Sequence, residues 1–77
     1  MENLLQRVES NRTVLVGKPV VKGTRLSVQF IVGLLASGST HQEILDEYTY
    51  LTEEDIRACL AFAAQTLESS TFVPLAA

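Results

Sequence analysis

The chain has 77 residues, 47% of them hydrophobic, with one Cys, one His and a formal net charge of −3. That length fits one small domain burying about 60–65% of its unfolded surface. A lone Cys59 excludes an internal disulfide, and His41 with Cys59 falls short of the three or four clustered ligands of a zinc site, so no metal or other cofactor is expected.

From the amino end, the chain reads as a turn of helix near Leu4 followed by a short strand at Arg7-Val8-Glu9. Val14-Leu15-Val16 and Pro19-Val20-Val21 are β-branched and bounded by turn residues, which reads as extended. Pro19 cannot donate to a ladder, so its strand begins there or lies at an edge. From Val16 to Val28 the chain carries Lys18, Lys22 and Arg25 among Gly17, Pro19 and Gly23. Glycine and proline fix a tight backbone from which the three cations project. A basic, turn-rich wing beside a small helical bundle is the form of a minimal nucleic-acid-binding module.

Three helices follow. Ser27 is placed to cap the first, which carries Val28, Ile31, Leu34 and Leu35 at helical spacing and stops at Gly38. Leu26 and Ile31 are positioned as a hydrophobic staple around its start. Thr40-His41-Gln42-Glu43 opens the second helix as a capping box, with Ile44 and Leu45 inward and Tyr48 closing it. Thr52 caps the third; Glu53, Glu54 and Asp55 lie at the positive end of its dipole, and Leu51 with Ile56 makes another staple. The apolar stripe expected to face inward is Ile56, Cys59, Leu60, Ala63, Ala64 and Leu67.

The expected organisation is a single domain: an extended basic wing over 1–26, a three-helix bundle over 27–68 and a flexible tail over 69–77. No apolar run approaches the roughly 20 residues that cross a bilayer, and the amino end lacks the apolar core of a signal peptide, so a cytoplasmic location is expected. The net charge conceals a division. Residues 1–39 hold Arg7, Arg12, Lys18, Lys22 and Arg25 against Glu2 and Glu9, whereas residues 40–77 hold Arg57 against Glu43, Asp46, Glu47, Glu53, Glu54, Asp55 and Glu68. Such asymmetry points to a polar partner, although acids also gather at helix starts for capping alone.

The segment Gly17-Lys18-Pro19-Val20-Val21-Lys22-Gly23-Thr24-Arg25-Leu26, the helix end Leu34-Leu35-Ala36-Ser37-Gly38, and the phrases Glu43-Ile44-Leu45-Asp46-Glu47-Tyr48 and Leu51-Thr52-Glu53-Glu54-Asp55-Ile56-Arg57-Ala58 together resemble the small bacterial family called domain of unknown function 433. The resemblance runs from about residue 7 to 65. It implies a mainly α, three-helix homeodomain-like or winged helix-turn-helix fold. For at least some relatives it also implies an antitoxin role beside a PIN-like ribonuclease toxin. Two departures are visible. Ser27 stands where proline is common, and serine caps a helix as well as proline starts one. Cys59 stands where a small residue, often alanine, is usual.

No phosphate-loop, dinucleotide or nucleophile-elbow pattern occurs, so a non-enzymatic protein with no catalytic residues is expected. His41 reads as a surface helix residue, Cys59 as a packed small hydrophobe, and the Glu53–Asp55 acids as dipole-matching caps. Helix-turn-helix binding by the third helix would bring those carboxylates against phosphates. The nucleic-acid contacts are therefore assigned to Lys18, Lys22 and Arg25, with Arg12 and Arg7 nearby and Thr24 and Gln29 adding neutral hydrogen bonds. So few phosphate contacts per protomer make a homodimer the expected DNA-binding form. The competing expectation is that Lys22 and Arg25 pair with the chain's own acids. Phe30, Val32, Phe62, Phe72 and Val73 fall partly off the inward stripes, which suggests self-association or a protein partner. The tail residues Phe72, Val73 and Leu75, flanking Pro74, are the candidate toxin contact. The expected partners are thus a second copy, a PIN-like toxin and operator DNA. The competing reading is a homodimeric interaction module without nucleic acid.

Overall fold

The computed structural model describes residues 3–10 and 18–69. A 3-10 turn at Leu4–Arg7 leads into β1 (Val8–Ser10), which pairs with β2 (Pro19–Val21); α1 (Val28–Ala36), α2 (His41–Glu47) and α3 (Glu53–Ser69) follow. The described residues are thus mainly helical, with three α-helices and one two-stranded sheet. The strands run antiparallel, Val8 opposite Val21, Glu9 opposite Val20 and Ser10 opposite Pro19. Pro19 opens β2, where its missing N–H takes nothing from the ladder. Val14-Leu15-Val16, expected as extended, lies outside the described residues.

Each helix start is held by the residue the sequence offers for it. The Ser27 hydroxyl accepts from Phe30 N–H at 2.9 Å. The Thr40 hydroxyl accepts from Glu43 N–H at 3.0 Å, and the Glu43 carboxylate accepts from Thr40 N–H at 2.8 Å, completing a capping box. Thr52 and Asp55 repeat the exchange at α3, at 3.0 and 3.2 Å. The α1 end is a Schellman motif. Ser39 N–H reaches the Leu34 carbonyl at 3.0 Å and Gly38 N–H the Leu35 carbonyl at 3.1 Å, with Gly38 at φ 102°. Tyr48 closes α2 through its N–H to the Ile44 carbonyl at 2.8 Å.

The core is built from Val21, Val28, Ile31, Ile44, Leu51, Ile56 and Cys59, so every helix and β2 contribute. Both staples take part: Leu26 packs against this cluster beside Ile31, and Leu51 with Ile56 lies within it. α3 packs against both α1 and the 3-10 turn.

The inward face of α3 is rotated from the expected stripe. Ile56, Ala58 and Cys59 are buried and Phe62 is half-buried against the core, whereas Leu60, Ala64 and Leu67 are exposed. Val32 likewise packs against the core rather than standing apart from it. The reason lies in the composition of the helix: from Ala58 to Leu67 it carries no charge, so no polar face sets the phase of the apolar one.

Candidate nucleic-acid interface

The strand and turn that carry the cations are fixed by backbone hydrogen bonds on both sides. Lys22 N–H donates to the Arg7 carbonyl at 2.7 Å, and Val21 N–H donates to the Leu26 carbonyl at 2.9 Å. Thr24 N–H returns to the Val21 carbonyl at 3.0 Å, closing a turn with Gly23 at φ 81°, the left-handed value a type II turn requires at its third position. The Thr24 hydroxyl donates to the Val21 carbonyl at 2.8 Å and accepts from Leu26 N–H at 3.0 Å. Its single proton is therefore engaged inside the turn, and Thr24 holds the turn together. Glu9 on β1 faces the same turn, its carboxylate 3.4 Å from Gly23 N–H.

Lys18, Lys22 and Arg25 are exposed, and none takes part in an ion pair among the described residues. They are spread along the strand and turn rather than gathered at one point. Lys18 and Gln29 border an apolar cleft of about 490 Å³ between α1 and α3. Lys22 borders a polar cleft of about 380 Å³ beside Arg7 and Asp55. Arg12, and the tail residues Phe72, Val73 and Leu75, lie outside the described residues.

Arg7 is not free as the sequence suggests. Its Nη1 donates to Asp55 Oδ1 at 3.1 Å, tying the 3-10 turn to the first turn of α3. His41 Nδ1 lies 2.7 Å from Glu53 Oε2. Two of the three acids at the start of α3 thus have partners within the fold, and Asp55 is also the capping carboxylate. Among the described residues, ion pairing between the two halves runs through Arg7, not through Lys22 or Arg25. Among the described residues no group of three or more His, Cys, Asp or Glu converges as a metal ion would need, and no helix is long and apolar enough to cross a membrane.

Two features have no local sequence signal. The apolar cleft is walled by Val28, Val32 and Ala36 of α1 and by Phe62, Ala63 and Leu67 of α3. An aromatic run crosses the surface beside α2: Phe30 meets Tyr48 edge-on at 5.9 Å, and Tyr48 meets Tyr50 at 6.5 Å, with Tyr50 61% exposed. The aromatics are visible in the chain, but only the tertiary fold brings Phe30 to Tyr48. Cys59 is wholly buried in the core; burial, and secondarily the Asp55 carboxylate, push its thiol up to about 11.

The family model described as protein of unknown function DUF433 matches residues 8–63, which takes in β1, the strand-and-turn segment and most of the helical bundle. The chain belongs to the DUF433 family. A crystal structure of a DUF433 member protein from Anabaena variabilis is similar to it at 27% identity and a TM-score of 0.76. That likeness covers 80% of this chain and 61% of the other, so this chain spans less than two thirds of its relative's length. Comparison with curated proteins gave no match. Within this DUF433 chain the Gly23-Thr24 pair and the Leu51-Thr52 pair both resolve into structural devices, a turn and a staple with its cap. The side chains of Lys18, Lys22, Arg25 and Gln29 lie inside the matched span and have no such duty among the described residues.

Proposed function

We propose that this DUF433 protein is a non-enzymatic, dimeric regulator of antitoxin type that acts in the cytoplasm. It occludes a partner PIN-like ribonuclease and contacts its own operator DNA through the strand and turn around Lys18, Lys22 and Arg25. In this reading α2 and α3 form a homeodomain-like helix-turn-helix, and β1, β2 and the Val21–Thr24 turn are its wing. The observation that carries it is a set of three exposed cations that take part in no ion pair among the described residues, beside a backbone pinned by hydrogen bonds. Holding side chains on a rigid edge lowers the ordering cost of phosphate contact. Gln29, exposed at the second position of α1, adds a neutral contact beside Lys18. Glu54 at the start of α3 keeps the reading centred on the wing rather than on that helix.

Occluding a toxin needs no chemistry, only a surface of matching shape, and the tail residues Phe72, Val73 and Leu75 remain the proposed contact. A second reading, a homodimeric interaction module without nucleic acid, is favoured by the net charge of −3 and by the Phe30–Tyr48–Tyr50 run, which is exposed at Phe30 and Tyr50.

Gel shift with the DNA upstream of the gene, at two salt concentrations, separates the two. The DNA-binding reading expects a shift that weakens steeply with salt, by a slope of about −0.9 per neutralised phosphate. Lys18→Ala/Lys22→Ala/Arg25→Ala should abolish it with helical circular dichroism intact. Undiminished binding by that variant would refute the wing assignment. No shift by the wild type would leave the interaction module. Copurification with the product of a neighbouring PIN-like gene tests the toxin half.

A further inference from the structure

The exposed face of α3 carries a pattern that the core does not use. Arg57, Leu60, Ala64, Leu67 and Glu68 are all exposed, Leu60 at 40% and Leu67 at 63%. At 100° per residue they fall within an arc of about 100° on one side of the helix, opposite Ala58, Cys59 and Phe62. A cation stands at one end of this stripe, an anion at the other, and leucines and alanine lie between. Neither Arg57 nor Glu68 takes part in an ion pair among the described residues. An uncharged helical stretch with large apolar residues on its outer side is the sort that folding or association covers.

We propose that this face pairs antiparallel with the same face of a second copy, α3 against α3, about a two-fold axis. The stripe is self-complementary in the way such an axis demands, because each residue must meet its counterpart reversed. Reversal brings Arg57 of one chain to Glu68 of the other, and the relation repeats on the far side of the axis. Arg57 and Glu68 are separated by about 16 Å along the helix, so both ion pairs form in one register. In that register Leu60 seats between Ala64 and Leu67 of the second copy, and the small Ala61 and Ala64 let the axes approach to roughly 8–10 Å. Parallel pairing would place Arg57 against Arg57 and Glu68 against Glu68, which like-charge repulsion disfavours. The edge of the apolar cleft, at Leu67, continues this surface toward Val28 and Val32.

The inference deepens the dimeric part of the proposed function by naming the face that dimerises. It is read without DNA, so its outcome stands apart from the gel shift. Light scattering after size exclusion, over a range of micromolar concentrations, should find the wild type as a dimer. Leu60→Asp/Leu67→Asp should be monomeric with helical circular dichroism unchanged, since both side chains are exposed. Arg57→Glu alone and Glu68→Arg alone should each weaken association roughly tenfold, and Arg57→Glu/Glu68→Arg should restore it. A monomeric wild type would overturn the proposal. So would a dimer that survives the leucine substitutions, or a charge reversal that fails to restore association. Because the charge variants leave every apolar contact in place, they decide the matter even if the leucine variant does not fold.

Discussion

Arg7 and Asp55 stand 48 positions apart in the chain and meet at 3.1 Å. The contact closes the fold: it joins the segment before β1 to the first turn of α3, where Asp55 also accepts the capping hydrogen bond from Thr52 N–H. Asp55 is the more enclosed partner, with 13% of its side chain exposed against 38% for Arg7. Its removal therefore takes away a cap and an ion pair together.

A double-mutant cycle measures the pair. Arg7→Ala is expected to lower stability by up to about 1 kcal/mol, in the range of partly exposed ion pairs. Asp55→Ala should cost about 1–2 kcal/mol, because the cap goes with the pair. The double variant should fall short of the sum by about 0.5 kcal/mol. Urea unfolding followed by circular dichroism reads all three values; strict additivity would mean that the two side chains do not interact in solution.

Gly38 and Gly33 respond to the same substitution with opposite sign. Gly38 holds φ 102° at the end of α1, where a Cβ is strained whatever the space around it. Gly38→Ala should destabilise by about 1 kcal/mol or more. Gly33 is helical, and a Cβ there meets nothing within 4 Å. Gly33→Ala should stabilise by about 0.5–1 kcal/mol through lost freedom of the unfolded chain. Thermal melts of the two single variants, moving in opposite directions from wild type, check the pair.

The parts of this fold written in short-range chemistry are legible in the sequence. Ser27, Thr40 and Thr52 each accept the hydrogen bond their position announces. Gly38 ends α1 in a left-handed conformation, and Pro19 opens an edge strand. The phase of α3 is not legible, since its apolar residues surround the helix and only packing against α1 and the 3-10 turn selects Ala58, Cys59 and Phe62. At the candidate site Lys22 is exposed on the Val21–Thr24 turn, and Lys18 and Arg25 are exposed on either side of it. The part Thr24 plays in closing the turn is not legible, because a hydroxyl beside cations resembles a ligand donor until its bond to the Val21 carbonyl is seen. The loss of Arg7 from the free cations depends on a contact between distant segments, for which no local pattern exists.

The caps predict a graded response. Thr40→Ala removes the acceptor for Glu43 N–H and half of a reciprocal exchange, so stability should fall by about 1 kcal/mol. Thr40→Ser keeps an oxygen in place and should cost only a few tenths of a kcal/mol. The difference should appear in the denaturation midpoint with the slope unchanged. Equal losses for the two variants would assign the effect to the threonine methyl instead of the hydrogen bond.

Cys59 links stability to alkaline pH. Its thiol, wholly buried, is raised from the ordinary 9.0 to about 11, first by desolvation and then by the Asp55 carboxylate. The folded chain therefore holds this proton over a pH range in which the unfolded chain has released it. Stability rises with pH only where the unfolded state binds more protons; here it binds fewer, so the sign is negative. The contribution is fully present below about 9 and is lost as pH climbs from there toward about 11. The quantity to measure is the difference between wild type and Cys59→Ala, in which every contribution the two proteins share cancels. The variant should start about 1 kcal/mol less stable at neutral pH from lost packing, and that gap should narrow as the solution is made alkaline. A gap constant with pH would mean that Cys59 is reached by water in the native state. Alkylation of the folded protein by iodoacetamide would then be fast, whereas a buried thiol reacts only as fast as the chain opens.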